Sequence, residues 1–314
     1  MAVFGFFKPY DPAFNGLEDG GIVELESKER SSLVFQMVPS DGRRGVIANG
    51  PDGVDCRITV KSPQVVELSN RVFKRLESSG PVSAPISEDR FSQPVPAGMK
   101  LDFDLKGIAA GSTEVVIETA RGGNAGVLKV SVKNERRVVV SACRLVDLEF
   151  KNPFDDQKIR ESMARATKVY KNCANISLLN DGVVYPVECD VGLGNPIVLG
   201  RQLTEFNGES STVAKHIKRK VPAAAKRADI VAIFGWDFEI VHSPIVGLND
   251  GRFCFVEFDM VALNRNLTLQ HEIGHALSLG HHKVLTIMNG DGFNGLERFE
   301  DFEIEKLNPL QAVP

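Results

Sequence analysis

Hydrophobic and polar residues alternate through the first half of the chain. The alternation is clearest at Leu101–Leu105 and Val127–Val132, and it is typical of strands that bury one face. Shorter apolar runs are separated by turn signals at Asp41-Gly42, Asp52-Gly53 and Gly122-Gly123-Asn124. Short strands at this spacing predict an all-β sandwich over residues 22–134. Residues 1–21, interrupted by prolines and glycines, are predicted to be an extended lead-in segment.

Past residue 135 the pattern changes to helices alternating with strands. Ile159, Met163, Ala166 and Tyr170 recur every three or four residues, which predicts an amphipathic helix from about Asp155 to Cys173. Later patterns predict a second helix and two strands, at Ser211–Arg227, Asp229–Phe234 and Arg252–Phe258. Together these elements predict a second domain over residues 135–314, so the chain is expected to be multidomain.

The candidate chemistry lies in the stretch His271-Glu272-Ile273-Gly274-His275, followed by His281. On a helix, residues four apart leave the same face, so His271 and His275 present two imidazoles one turn apart. Imidazole nitrogens are good ligands for Zn²⁺. Glu272 lies about 100° further round the helix, where a carboxylate can take a proton from a water held at the metal.

This run resembles the metzincin zinc peptidases, whose signature is His-Glu-x-x-His-x-x-Gly-x-x-His followed by a turn that contains Met. The resemblance implies an α+β fold for residues 135–314. It also implies that His271, His275 and His281 are the zinc ligands and that Glu272 is the general base. It also implies that Met288, in Thr286-Ile287-Met288-Asn289, is the Met of the turn beneath the metal.

The chain departs from the signature at one position, where Ser278 stands in place of Gly. A non-glycine residue in the left-handed conformation costs roughly 1–2 kcal/mol. If Gly280 took the unusual backbone angles instead, His282 would become the third ligand. A glutamate from a later helix, either Glu297 or Glu300, is the remaining alternative.

In metzincins the strand before the zinc helix borders the cleft and pairs with an extended substrate. The resemblance therefore implies that residues 253–258, including Phe253, Phe255 and Glu257, bind a protein or peptide substrate through main-chain hydrogen bonds. In the first half, the stretch from Leu105 to Val132 resembles the end of a bacterial immunoglobulin-like domain. Such a module is expected to hold a protein partner, to engage a delivery machinery or to act as a spacer.

Composition narrows the classes of partner. A net charge of −4 predicts no general attraction to nucleic acid or to an anionic membrane. No apolar run approaches the ~20 residues that span a bilayer. The start, MAVFGFFKPYDPAF, lacks the basic beginning and cleavage site of a signal peptide, so we expect a cytoplasmic protein, a leaderless export route or a lost leader. Five scattered cysteines without Cys-x-x-Cys predict reduced, buried thiols.

The sequence thus predicts a zinc-dependent endopeptidase with an N-terminal β-sandwich module. The competing hypothesis is a non-catalytic binding or assembly protein with a vestigial or structural zinc site, which Ser278 favours. A zinc hydrolase that acts on a non-peptide amide is a third hypothesis. A hydrolase with an appended module and no leader also suggests a bacterial secreted protease, effector or toxin.

Overall fold

The computed structural model falls into two compact units, Met1–Glu135 with Glu300–Pro314, and Arg136–Phe299. The residues that it describes are 5–9, 22–24, 33–49, 54–75, 80–120, 124–190, 192–200, 212–240, 243–245, 247–257, 267–282, 286–288, 299 and 301–310.

The described residues of the first unit form ten strands in two sheets. The strands are β1 (Gly5–Pro9), β2 (Ile22–Glu24), β3 (Leu33–Pro39), β4 (Arg43–Asn49), β5 (Cys56–Val60), β6 (Val66–Arg75), β7 (Ser92–Val95), β8 (Met99–Gly107), β9 (Gly111–Thr119) and β10 (Asn124–Lys133). One sheet has the order β2-β1-β4-β8-β6, and the other has the order β3-β10-β9-β5-β7.

The two sheets share one hydrophobic core, which makes this unit a β-sandwich. Leu101, Phe103 and Leu105 of β8 are buried there, while the residues between them are only partly buried. Ile58 and Ile117, from the opposite sheet, belong to the same core. The predicted alternation and the all-β first half are therefore confirmed, since period-2 patterning places every second side chain on one face.

The predicted lead-in differs from the structure. Residues 5–9 form β1, which pairs antiparallel with β2 and with β4. Backbone hydrogen bonds to two neighbours make this segment part of the sandwich. The sequence hides this because such pairing depends on main-chain partners and not on a local hydrophobic pattern.

The described residues of the second unit form three helices and nine strands. The helices are α1 (Asp156–Ala174), α2 (Thr212–Lys220) and α3 (Thr268–Ala276). The strands are β11 (Arg136–Val146), β12 (Ile176–Leu179), β13 (Val184–Glu188), β14 (Ile197–Gly200), β15 (Ile230–Gly235), β16 (Phe238–Ile240), β17 (Ser243–Ile245), β18 (Gly247–Asp250) and β19 (Phe253–Glu257).

The main sheet of this unit has the order β12-β11-β15-β19-β18, with β13 also paired to β11. Strands β11, β15 and β19 run parallel, whereas β18 is antiparallel to β19. All six residues of β15 are buried, as expected for a central strand. Strands β14, β16 and β17 form a separate small sheet.

The amphipathic helix predicted at 155–173 is confirmed as α1. Asp155 caps it, accepting a hydrogen bond from the Lys158 backbone N–H at 2.8 Å. Its four predicted apolar residues are buried, and Asn175 ends the helix in the left-handed conformation. The helix predicted over 211–227 is shorter: α2 stops at Lys220, because Pro222 has no N–H to continue it, and a 3₁₀ turn follows at Ala225–Arg227.

The strand expected to receive substrate is not at the edge of the sheet. β19 lies between β15 and β18, so the backbone of residues 253–256 is paired on both sides, and Glu257 is paired with Gly235 of β15. A substrate strand therefore finds no free main-chain edge at residues 253–256, and binding of substrate by residues 253–258 stays a prediction. Within the described part of this sheet, the edge next to β19 is β18, and Phe258 lies outside the described residues.

The end of the chain also differs from the prediction of a second domain that extends to residue 314. Helix α4 (Asp301–Leu307) belongs to the first unit. Glu305 of α4 accepts hydrogen bonds from Lys133 Nζ at 2.5 Å and from Ser131 Oγ at 3.0 Å, and Asn308 Nδ2 donates to the Asn134 carbonyl at 2.9 Å. These partners are more than 150 residues away in sequence, so local patterns do not reveal them. None of the helices in the described ranges is long and apolar enough to cross a membrane.

Candidate metal centre

Three histidines converge at the end of α3. The Nε2 atoms of His271 and His275 lie 3.0 Å apart, as expected for residues one helical turn apart on the same face. The Nε2 atom of His281 lies 2.9 Å from each of them. His271, His275 and His281 therefore form a cluster that could hold a metal ion.

The turn after α3 brings His281 back to the helix. Ser278 adopts the left-handed conformation with φ of 75°, and its N–H donates to the His275 carbonyl at 2.8 Å. The Leu279 N–H donates to the Gly274 carbonyl at 2.9 Å. This pair of bonds is the Schellman arrangement, which normally uses Gly at the left-handed position.

The turn places one of the two candidate third ligands, His281, in the cluster. Gly280 has no left-handed backbone angle, so Ser278 alone makes the reversal in the described residues between His275 and His281. His282 is not part of the cluster, and its Nε2 atom lies 3.4 Å from the Thr286 hydroxyl oxygen. Glu297 and Glu300, the other candidates, lie outside the described residues.

Backbone carbonyls fix the orientation of two of the rings. The Nδ1 atom of His271 lies 2.7 Å from the Ile287 carbonyl, and that of His275 lies 2.9 Å from the Leu279 carbonyl. A carbonyl only accepts hydrogen bonds, so each Nδ1 carries a proton and each Nε2 of a neutral ring presents a lone pair. Burial lowers the pKa of His271 to about 4 and also lowers the pKa of His275, which favours neutral rings.

The size of the cluster fits a zinc ion. Nε2 atoms 2.9–3.0 Å apart lie on a circle with a radius of about 1.7 Å, which is shorter than a Zn–N bond of about 2.0–2.1 Å, so one ion can reach all three. Without a cation or a shared proton, the lone pairs would repel one another. Three neutral imidazoles are also a common ligand set of catalytic zinc, and they leave a further coordination position open.

Glu272 lies on the flank of the same helix. Its side chain is only 4% exposed, and the buried Oε2 atom has no hydrogen-bond partner among the described residues. Loss of hydration raises the pKa of this carboxyl to about 8. Glu272 follows His271 directly in the sequence, and a cation bound close to its carboxyl group would favour the charged form.

Met288 lies beneath the helix that carries the histidines. It is fully buried, and a Cβ atom built on Gly274 would collide with the Met288 sulfur. The turn at residues 286–288 therefore packs directly on the α3 backbone, and Ile287 of the same turn orients His271. That Met288 belongs to a turn beneath a metal stays a prediction.

Several groups that support α3 were not predicted from the sequence. Tyr170 of α1 donates its hydroxyl hydrogen to the Gln270 carbonyl of α3 at 2.7 Å, and its ring packs on Phe299 with centroids 5.1 Å apart. Gly274 is suited to its position because it has no side chain, which leaves space for Met288, and not because of its conformational freedom. Of these groups, only Tyr170 belonged to a periodic pattern in the sequence. That pattern predicted that Tyr170 is buried but did not identify the group that it contacts.

The three residues predicted to bind substrate have structural roles in β19. Phe255 is fully buried and packs edge-on against Phe238, with ring centroids 5.8 Å apart. Glu257 accepts a hydrogen bond from the Phe238 backbone N–H at 2.8 Å. Phe253 lies under the cations of Lys218 and Arg252, at 5.5 and 5.6 Å from its centroid.

Comparisons with known proteins add little to this geometry. No protein family and no curated protein matches the sequence. Among solved structures, the class 5 fimbriae chaperone CfaA is 10% identical over 33% of this chain and 56% of its own, with a TM-score of 0.20, so the chain spans little more than half of that chaperone.

Two other structures are equally distant. A PapD-like domain of human CEP192 is 10% identical over 38% of this chain and 99% of the domain, with a TM-score of 0.17. A family 123 glycoside hydrolase from Clostridium perfringens is 8% identical over 78% of this chain and 52% of its own, with a TM-score of 0.20. Likeness this weak carries no argument, so any statement of function rests on the residues themselves.

Proposed function

We propose that this protein is a zinc-dependent endopeptidase whose ligands are His271, His275 and His281. The observation that carries the proposal is the convergence of three Nε2 atoms, joined in sequence to Glu272, whose buried Oε2 has no hydrogen-bond partner in the part of the chain that the structure describes. The metzincin resemblance adds the expectation of a peptide substrate.

Each residue has a role that follows from its surroundings. The Ile287 and Leu279 carbonyls keep the rings of His271 and His275 in the tautomer that presents Nε2. Zn²⁺, when bound, lowers the pKa of water towards ~7 and polarises a carbonyl oxygen. Glu272 then takes the proton of the attacking water on its carboxylate and delivers it to the nitrogen of the leaving amine.

The first experiment measures metal content by elemental mass spectrometry on the wild type and on His281→Ala and His282→Ala. We expect about one zinc per chain, lost in His281→Ala and retained in His282→Ala. The two histidines are adjacent, so the second variant is a matched control. A wild type that holds no zinc after supplementation would refute the proposal.

The second experiment measures cleavage of a protein or peptide library by the wild type and by Glu272→Ala. The variant should keep its zinc and lose hydrolysis by ~10²–10⁴-fold, the range that general acid–base groups contribute. Zinc binding without turnover on any substrate would support the alternative of a binding or assembly protein. Unchanged cleavage by Glu272→Ala would exclude Glu272 as the base.

A further inference from the structure

Among the described residues, no hydrogen bond holds the buried end of the Glu272 side chain. The side chain is 4% exposed, and its Oε2 atom is buried without a partner there. Its orientation therefore depends on the atoms that pack against it, and strand β18 supplies some of them.

Gly247 of β18 makes the closest approach. A Cβ atom built on this glycine would lie 2.5 Å from Glu272 Oε1, 3.0 Å from Glu272 Cδ and 2.5 Å from the Thr268 Cγ2 methyl. Cβ contacts shorter than 3.0 Å essentially never occur in proteins. The main chain of β18 thus lies against the carboxylate in space that any side chain would fill.

The backbone of Gly247 does not itself demand glycine. The φ angle of Gly247 lies outside the left-handed region, and Gly247 pairs in regular antiparallel register with Val256. Alanine would be better than glycine in a strand with ordinary backbone angles, because glycine loses more conformational freedom on folding. Contact with α3 is the reason that remains for glycine here.

We propose that Gly247 is a positioning residue for the reaction, and that its missing side chain sets where the Glu272 carboxylate sits. This inference rests on the proposed function. An added methyl group would meet a stiff β-branched residue on one side and the end of a flexible side chain on the other. The unbonded carboxylate is the group that gives way, and it turns out of line with the water that it must deprotonate.

The test on the reaction compares Gly247→Ala with Gly280→Ala. A Cβ atom on Gly280 meets nothing within 4 Å, so this second glycine, between His275 and His281, is the matched control. Gly247→Ala should retain zinc and KM while kcat falls at least ~10-fold, since a misplaced base loses part of the ~10²–10⁴-fold contribution of general base catalysis. Gly280→Ala should keep the wild-type kcat.

The double variant Gly247→Ala/Glu272→Ala separates positioning from general damage. If Gly247 acts through Glu272, the double variant should be no slower than Glu272→Ala alone. A further fall in kcat on top of Glu272→Ala would overturn the proposal. A wild-type kcat in Gly247→Ala would overturn it as well.

A second readout does not depend on hydrolysis. Urea midpoints are measured for the wild type, Gly247→Ala, Glu272→Ala and the double variant, each without metal. Gly247→Ala should lower the midpoint, and much of this loss should vanish when Glu272 is already truncated. Adding Thr268→Ser to Gly247→Ala removes only the threonine methyl group. It should recover part of the urea midpoint that Gly247→Ala loses and leave kcat low.

The two readouts also distinguish this inference from the proposed function. A wild type without zinc or hydrolysis removes the peptidase proposal, and the midpoints then still decide whether Gly247 sets the carboxylate. Strictly additive midpoints overturn the inference while leaving the zinc site intact. Coupled midpoints together with the kcat pattern above support both.

Discussion

Ser278 offers the sharpest test of how the third histidine reaches the cluster. It is a non-glycine residue at φ of 75° in the Schellman turn that ends α3. Its side chain is exposed, and its hydroxyl makes no hydrogen bond in the described residues. Ser278→Gly therefore changes the backbone energetics of the turn while removing almost no contact.

The magnitude follows from two opposing effects. The left-handed conformation costs a non-glycine residue roughly 1–2 kcal/mol, and Gly avoids this cost. Gly also gives the unfolded chain more freedom, which costs roughly 0.5–1 kcal/mol on folding. The net expectation is a gain of about 0.5–1 kcal/mol, or roughly 1–4 °C in the midpoint of thermal unfolding for a unit of this size.

The assay is urea and thermal unfolding of the metal-free protein, followed by the same measurements with zinc. Ser278→Ala is the first control, because it removes the hydroxyl and keeps the left-handed strain, so its stability should match the wild type. Ser278→Val should be less stable than either, since a β-branched side chain fits this conformation worst. If Ser278→Ala gained as much as Ser278→Gly, strain in the backbone would not be the cause.

Three further predictions concern other features of the two units. Gln270 is fully buried, and its side-chain amide has no hydrogen-bond partner within the described ranges. Gln270→Met should therefore raise the free energy of unfolding by ~1–3 kcal/mol; a lower free energy of unfolding in urea would contradict this. Gly274→Ala should lower the free energy of unfolding by ~1–3 kcal/mol, because the new methyl group collides with Met288. Combining it with Met288→Ala, which shortens that side chain, should partly restore the free energy of unfolding in the same assay. Glu67 has a lowered pKa, first through its hydrogen bond from Lys106, so it stabilises the fold above its unfolded pKa of about 4.3. The stability advantage of the wild type over Glu67→Gln should disappear as pH falls through that lowered pKa. A difference in free energy of unfolding that stays the same at every pH would contradict this prediction.

The sequence by itself determined the features that depend on local periodicity. The buried face of α1, the central strand β15 and the alternation in β8 were predicted from local patterns of apolar residues. Such patterns are visible in the sequence because side chains repeat with a period of 3.6 residues in a helix and 2 residues in a strand. The pair His271 and His275 belongs to this class, since helix geometry alone puts both rings on one face. The identity of His281 as a candidate followed from its spacing in the signature.

Tertiary structure decided what depends on partners distant in sequence. It put β1 and α4 with the sandwich and placed β18 outside β19, because sheet neighbours and ion pairs are chosen among segments that the local pattern cannot rank. It brought the Ile287 carbonyl to His271 and the bare backbone of Gly247 to Glu272. A glycine that serves only to leave space has no signature in sequence, since the atoms that would fill that space become neighbours only when the chain has folded.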